Sequence, residues 1–391
     1  MFFRQGGEAA NRRRRRAHRA RMERFLPFGR NDTLTDSGRT RAESFASVRV
    51  GAKPFDLTVL ETDVMDERKI FCRAVIIVGL LLSWQLAHGA STPIKVTLHI
   101  PSKSLSLMPY YFGKDKGFFA AEQIEPQLVM MAPPTAIAAL VGGELDFSST
   151  MGAATSAIMR GLPLRRVFYV QQDPVHALVA QPEIKSVRDL VGKAVGVTAL
   201  TDAVGMSANM ILRANGIEPG KVTLLAMQVT DNAIQSLITK RVSATLLAPP
   251  YVEELEAKGY VKLAEARTYA PLSFIGLVSS TEAIKKTPQK VYGMIAALHR
   301  TMNYILNPAN RNEVIQYVST YHKIDLPLAE KAFAAQMLGY SKDGSKPRAS
   351  VEKEIEIYRE SLKLAKTFTP EDLEDMSLLR KVQEATGSKN R

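Results

Sequence analysis

The fold of this chain is decided by residues 95–148, which read KVTLHIPSKSLSLMPYYFGKDKGFFAAEQIEPQLVMMAPPTAIAALVGGELDFS. Three short runs in this stretch have the alternating or apolar character of β-strands. They lie at Lys95–Ile100, Gln127–Met130 and Leu145–Ser148. Two helical segments separate them: Pro109–Lys116, which ends at Gly117, and Ala136–Val141, which Thr135 is expected to cap. This β-α-β-α-β order predicts a parallel sheet with helices on both faces.

A second, smaller α/β unit begins near a capping box at Ser186–Asp189. Its strands are predicted at Ala194–Val197, Val222–Met227 and Ala244–Ala248, and its helices at Asp202–Asn215 and Asp231–Thr239. After a further strand at Phe274–Val278 the chain is mostly helical. The apolar stripe between Val291 and Ile305 indicates packing against a core. The pattern therefore predicts an α/β protein with two units.

Five predicted strands are followed by loops of small, hydroxyl and apolar residues. The loops are Ser102–Pro109, Ala132–Thr135, Ser149–Ala153, Thr198–Gly205 and Ala248–Tyr251. In parallel α/β sheets such loops meet at the carboxyl ends of the strands, where ligands bind. Helix N-termini there also offer unpaired N–H groups to an anion or a carbonyl. The alternative for any single loop is that Ser, Thr, Pro and Gly are simply the residues that turns need.

Residues 65–89 match a secretory signal peptide. A basic segment starting at Met65 precedes the apolar run Ala74–Leu86, and small residues stand before a cleavage point at Ala90. The apolar run is shorter than the roughly 20 residues of a membrane-spanning helix. An uncleaved anchor is the alternative. We expect residues 1–64 to be a mis-called, disordered upstream extension, and the mature protein to be periplasmic.

The net charge of +13 raises the question of nucleic-acid binding. Residues 1–64 hold 14 Lys and Arg against 8 Asp and Glu, centred on Arg12–Arg16. This run has the composition of a basic arm for RNA or DNA. A start codon assigned too far upstream is the favoured interpretation, because a signal peptide works only at the N-terminus. We therefore expect no nucleic-acid partner.

Known catalytic and metal-binding motifs are missing from the sequence. The only cysteine, Cys72, and the only tryptophan, Trp84, are lost on cleavage, so the mature chain has no thiol nucleophile or Cys-based metal site. The mature histidines show no ligand spacing, and each is expected to be a surface or satisfied core residue. They are His99, His176, His299 and His322. We expect no metal, no cofactor and no enzymatic activity.

Four stretches together resemble the solute-binding proteins of ABC transporters that serve alkanesulfonates, taurine, nitrate and thiamine pyrimidine precursors. They are Leu107–Phe119, Gly143–Phe147, Ser186–Val197 and Phe274–Ser279. The resemblance implies the type II periplasmic-binding-protein fold, in which two α/β lobes of mainly parallel sheets are flanked by helices. Two crossing strands would lie near His176–Ala180 and Phe274–Val278.

The resemblance also implies the domain limits and the partners. The large lobe would comprise residues 90–180 and 274–391, and the small lobe residues 181–273. A small-molecule ligand would sit between the lobes, and hinge closure would present the complex to a membrane permease with its ATPase. We expect the binding protein to be a monomer.

The expected ligand-binding residues come from the strand-end loops. They are Ser104, Ser106, Met108, Met131, Ser149, Thr150, Met151, Thr198, Thr201, Asp202, Pro250 and Tyr251. Asp202 has two possible roles: it caps the following helix, or it faces the cleft, where an acid would repel an anion. Six apolar residues indicate an adaptable, apolar cleft. They are Met108, Met130, Met131, Met151, Leu200 and Val204. A small, weakly polar or aromatic molecule is expected rather than nitrate or sulfate.

Two other functions stay open at this point. Thiamine-pyrimidine-synthase-like enzymes share the fold, but they depend on a cysteine-rich iron site and work inside the cell. The absence of cysteine from the mature chain argues against that activity. A periplasmic module that passes its ligand to a receptor is the other alternative, and the sequence does not separate it from transport.

Overall fold

Ten strands form two five-stranded sheets in the computed structural model, which describes residues 92–387. The first sheet has the order β2-β1-β3-β10-β4. Its strands are β1 (Ile94–Ile100), β2 (Ile124–Met130), β3 (Phe147–Thr150), β4 (Leu164–Tyr169) and β10 (Ile275–Ser280). β1 is parallel to β2 and β3, whereas β10 runs antiparallel to β3 and β4. Four strands of this sheet therefore share one direction.

The second sheet repeats this arrangement with the order β7-β6-β8-β5-β9. Its strands are β5 (Ala177–Ala180), β6 (Ala194–Val197), β7 (Thr223–Ala226), β8 (Ala244–Leu247) and β9 (Val261–Glu265). β6 is parallel to β7 and β8, and β5 is antiparallel to β8 and β9. The antiparallel strand of each sheet is thus the one that arrives from the other sheet. We call each sheet with its helices a lobe, and the predicted two-lobe α/β fold is confirmed.

Fifteen α-helices accompany the sheets within residues 92–387. The helices between β1 and β4 are α1 (Met108–Asp115), α2 (Phe118–Ala121), α3 (Pro133–Val141) and α4 (Met151–Met159). Those between β6 and β10 are α5 (Ala203–Ala214), α6 (Thr230–Ile238), α7 (Tyr251–Ala257) and α8 (Ala266–Tyr269). After β10 come α9 (Thr281–Lys286), α10 (Pro288–Leu306), α11 (Arg311–His322), α12 (Leu326–Met337), α13 (Arg348–Ser361), α14 (Pro370–Leu373) and α15 (Ser377–Ala385). Short 3₁₀ turns lie at Leu105–Leu107, Val187–Leu190 and Pro308–Asn310.

Local sequence explains several helix starts. Asp202, Ser280 and Asp325 accept backbone N–H groups at the first turns of α5, α9 and α12. The predicted capping box at Ser186 is also present. The predicted start of α3 was wrong: the helix begins at Pro133, because proline already supplies the φ angle of a first helical residue, and Thr135 lies inside the first turn.

The first lobe contains a fully buried ionic network. Arg166 on β4 and Lys346 both contact Glu354 on α13, with N···O distances of 3.2 and 3.3 Å. The Ser273 backbone N–H and hydroxyl also donate to Glu354. Two cations and two further donors offset the cost of burying this carboxylate. The network joins α13 to β4 and to the chain that enters β10.

Two predictions from the sequence concern residues that precede residue 92. The upstream extension, residues 1–64, and the signal peptide, residues 65–89, lie outside the described residues. Within residues 92–387, no helix combines the length and apolar character needed to cross a bilayer. The stripe on α10 is buried as predicted, from Val291 at one end to Ile305 at the other.

Candidate functional site

A small cavity lies between the two lobes, at the ends of strands from both sheets. It has a volume of about 40 Å³, which is room for about three water molecules. The first lobe and its strand-end loops contribute Pro101, Ser102, Ser104, Pro133, Thr150, Gly152, Ala153, Phe274 and Ile275, and the second lobe side contributes His176, Thr198, Asp202, Ala203, Val204 and Thr230. The predicted position of the site at the carboxyl ends of the strands matches this geometry.

The lobes touch each other around this cavity. The Ser156 hydroxyl on α4 donates to the Thr201 carbonyl at 2.9 Å, just before α5. The Leu105 backbone N–H donates to the Pro249 carbonyl at 2.8 Å. These bonds hold a closed arrangement, so a solute larger than a few atoms enters only when the lobes separate.

Asp202 both caps α5 and lines the cavity. Its Oδ1 accepts the Gly205 N–H at 2.9 Å, and its Oδ2 accepts the Thr198 hydroxyl at 2.5 Å. The side chain is 5% exposed. Burial raises its pKa from 3.8 to about 6, although the bonds from Thr198 and Gly205 oppose this shift. The two roles considered for Asp202 are therefore compatible in this structure.

Two aromatic rings from the crossing strands form one side of the cavity. His176 precedes β5 and Phe274 precedes β10, and their ring centroids lie 4.2 Å apart at an interplanar angle of 30°. Burial lowers the pKa of His176 to about 3, so the ring is neutral at pH 7. Its buried Nδ1 atom has no hydrogen-bond partner among the described residues. An unpartnered buried nitrogen costs stability, which makes it a candidate ligand contact.

The prediction for His176 as a surface or satisfied core residue was therefore wrong. The sequence held one indication of this role: His176 stands at the start of the first predicted crossing strand, and Phe274 stands at the start of the second. His99, in contrast, is the satisfied core residue that was expected. Its Nδ1 lies 3.0 Å from the Ser148 hydroxyl, and its Nε2 lies 3.0 Å from the Met131 carbonyl oxygen.

Four of the twelve predicted site residues line the cavity, and eight do not. The four are Ser104, Thr150, Thr198 and Asp202. The other eight are Ser106, Met108, Met131, Ser149, Met151, Thr201, Pro250 and Tyr251. Ser106 is buried because the 3₁₀ turn directs it inward, where it donates to Gln336 and accepts from Gln171. Thr201 is exposed, and its carbonyl rather than its hydroxyl joins the lobes.

Most of the six residues expected to form an apolar cleft lie away from this cavity. Met108 and Met151 stand at helix starts but are fully buried in the first-lobe core. Met131 packs against that core, and Ser149 is buried without lining the cavity. Met130 and Leu200 are exposed at 39% and 50%. Of the six apolar residues only Val204 lines the cavity, so hydroxyls, Asp202 and two rings dominate it.

Pro250 and Tyr251 do not line the cavity. The Tyr251 ring stands at 88° to that of His322, with centroids 6.5 Å apart. His322 belongs to α11, and its Nε2 lies 3.2 Å from the Tyr111 hydroxyl. These residues form an aromatic contact between α7 and the helices of the first lobe.

The cavity has little in common with a metal centre. Within residues 92–387, no group of three or more His, Cys, Asp or Glu side chains has the arrangement to hold a metal ion. All residues that line the cavity are described, and among them only Asp202 carries a formal charge. The chemistry on offer is hydrogen bonding, one carboxylate and a flat aromatic surface.

Comparison with known proteins gives a family match and a consistent fold. The model of a family described as "NMT1/THI5 like" matches residues 105–311. No curated protein matches the chain by sequence. The alkanesulfonate-binding protein SsuA from Xanthomonas axonopodis pv. citri, solved with MOPS, is 16% identical with a TM-score of 0.59. It covers 75% of this chain and 99% of its own.

Two further solved structures share the architecture. The periplasmic nitrate-binding protein NrtA from Synechocystis PCC 6803 is 14% identical with a TM-score of 0.62, covering 75% of this chain and 89% of its own. The desulfurization enzyme DSZB is 12% identical with a TM-score of 0.55, covering 75% and 99%. At these identities the similarity shows the periplasmic-binding-protein fold.

Proposed function

We propose that this chain, which belongs to the NMT1/THI5-like family, is the solute-binding component of an ABC import system. It would hold a small organic molecule between its lobes and deliver it to a membrane permease with its ATPase. One observation carries the proposal: strand-end loops of both lobes and the two crossing segments line one cavity between the lobes. A ligand there contacts both lobes at once, so it stabilises the closed form over the open one.

The two crossings between the sheets can act as the hinge for this closure. The chain passes from the first sheet to the second before β5 and returns before β10. We propose that the two sheets, each with its helices, move as separate lobes with the hinge at these crossings. The limits predicted from the sequence, 90–180 with 274–391 and 181–273, shift at the first crossing, because β5 (Ala177–Ala180) belongs to the second sheet. The bond between Ser156 and Thr201 forms in the closed state. A permease could then distinguish loaded from empty protein by the shape of the closed form.

The compartment and the oligomeric state complete the proposal. Periplasmic binding proteins are among the structures that share the fold. We propose that residues 65–89 direct export and are removed before Ala90, so that a monomer acts in the periplasm. Expression from Met65 in a Gram-negative host should give a periplasmic protein whose N-terminal sequence begins at Ala90. A mature N-terminus upstream of Met65 in the native organism would contradict this.

An enzymatic function is the second candidate, because the fold also occurs in DSZB, which is named a desulfurization enzyme. The titratable cavity residues, Asp202 and His176, are the groups that such an activity would use. Both oxygens of Asp202 already accept hydrogen bonds, and no side chain orients His176 Nδ1. A general base is normally held by a second group that fixes its orientation. The geometry favours binding without turnover.

The decisive experiment is native mass spectrometry of the protein beginning at Ala90, purified from its natural source. We expect a small molecule to co-purify and to be recovered unchanged after prolonged incubation with the protein. Added back at a hundredfold excess over its dissociation constant, it should stabilise the fold by about 2.7 kcal/mol. Protein unfolded, dialysed and refolded is the ligand-free control. A ligand recovered in altered form would favour the enzyme.

A further inference from the structure

The second lobe supplies its own anion to the cavity. In α5, a helix of 12 residues, the positive end of the helix dipole points at the site. Such an N-terminus is a ready site for an oxyanion. Here the Asp202 carboxylate already occupies it and accepts the Gly205 N–H. An incoming anion would therefore meet a negative charge and a committed donor.

No cationic side chain lines the cavity to offset that charge. All of its lining residues are described, and none is Lys or Arg. The buried cations of the first lobe, Arg166 and Lys346, are paired with Glu354 instead. A neutral His176 ring leaves the charge of Asp202 uncompensated as well. The electrostatic complement of this lining is a positive charge.

Two of the polar atoms in the lining can accept a hydrogen bond from a solute. The Thr198 hydroxyl donates its proton to Asp202, so its oxygen can only accept a hydrogen bond from a ligand. The buried Nδ1 of neutral His176 has no partner and accepts a hydrogen bond in one tautomer. The stacked rings of His176 and Phe274 add a flat surface. A planar cation stacks well on such a surface.

We infer that the cleft selects planar cationic solutes rich in N–H groups, of the amidinium or guanidinium class, and rejects oxyanions. This inference rests on the proposed solute-binding function and narrows its ligand. Asp202 would supply the opposite charge for such a group, and the Thr198 oxygen and His176 Nδ1 would accept its N–H bonds. Asp202 is the residue that determines specificity. The rings of His176 and Phe274 position the planar part of the solute.

The test uses pairs of probes with the same shape and opposite charge. Benzamidinium is compared with benzoate, and guanidinium at millimolar concentration with nitrate, by isothermal titration at pH 7.5. We expect benzamidinium to bind at least tenfold more tightly than benzoate, and guanidinium more tightly than nitrate. Asp202→Asn retains a good helix-capping side chain but lacks the charge, and it should lose at least tenfold in benzamidinium affinity.

A matched control is Asp189→Asn, which changes another capping aspartate of the second lobe. Asp189 accepts the Ser186 N–H and lies outside the cavity, so the variant should bind like the wild type. Benzoate or nitrate binding as tightly as its cationic partner would overturn the inference, as would unchanged benzamidinium affinity in Asp202→Asn or no binding of any probe at millimolar concentration. An anionic solute recovered unchanged by native mass spectrometry would overturn this inference while leaving the proposed function standing.

Discussion

Gly152 on α4 lies directly against Ala203, the first residue of α5, where the two lobes meet. A Cβ atom placed on Gly152 would stand 2.7 Å from the Ala203 Cβ and 2.8 Å from the Tyr358 hydroxyl. Real Cβ atoms do not approach other atoms this closely, so glycine is required for the closed arrangement. The absence of a side chain at Gly152 thus permits the close contact between the lobes beside the cavity.

We predict that Gly152→Ala holds the lobes open. The clash with Ala203 prevents closure. The fully buried Tyr358 hydroxyl lies in the same lobe as Gly152 and crowds the added methyl group in the open form as well, so no gain in stability is expected. Small-angle scattering should show no ligand-dependent fall in the radius of gyration, and affinity for the co-purified solute should fall at least tenfold. Gly142→Ala is the control, since its Cβ meets nothing nearer than 3.3 Å. Normal closure of Gly152→Ala would contradict the prediction.

Asp202 should give the protein a characteristic pH dependence. Burial raises its folded-state pKa to about 6 from 3.8, so the folded protein holds this proton more tightly than the unfolded chain. Its stabilising contribution is complete below pH 4 and is lost as the pH rises through 6. The stability of the wild type relative to Asp202→Asn should therefore fall by about 2.4 kcal/mol between pH 4 and pH 8. Urea unfolding of both proteins at these two pH values measures it, and a difference that grows with pH would contradict the shift.

Replacing His176 by phenylalanine should improve stability and impair binding. The variant keeps a ring against Phe274 but removes the unpartnered Nδ1, so the ligand-free protein should gain about 1 kcal/mol. The solute loses a hydrogen bond, and its affinity should fall. Thermal unfolding and titration calorimetry measure the two effects. His322→Phe is the control outside the cavity: it loses its contact with Tyr111 and should keep the wild-type affinity.

The buried ionic network should be sensitive to loss of its carboxylate. Burial alone would raise the pKa of Glu354, and Lys346 and Arg166 outweigh this effect and lower it. Glu354→Gln leaves the buried Lys346 without its carboxylate and leaves Arg166 with only the more distant Glu374, 3.6 Å away, so it should cost about 3–5 kcal/mol. Chemical unfolding measures the loss. Glu282→Gln breaks an exposed pair with Lys286 and should change stability little. Equal effects of the two changes would show that burial does not matter here.

The predictions from sequence succeeded where the physical cause is local. Strand alternation at Lys95–Ile100 and the capping box at Ser186 depend on neighbouring residues, and both appear in the structure. Asp202 was placed at a helix start by the same reasoning. Ser106 was misplaced because the rotation of a 3₁₀ turn decides which serine of the loop faces inward. Ser104 faces the cavity, whereas Ser106 bonds to Gln336.

The sequence by itself determined the order of most strands and helices, hence the two α/β lobes, and the loops in which a site would form, although β4 and β9 were not predicted. Those features follow from periodicity and turn chemistry within a few residues of each position. Only the tertiary structure decided that His176 stacks on Phe274 and that Gly152 meets Ala203, since each pair joins segments that the crossing strands bring together. It also decided the polarity of the cavity, because the methionines of the loops turned into the core. The packing of two lobes is a property of the whole chain, and no local pattern encodes it.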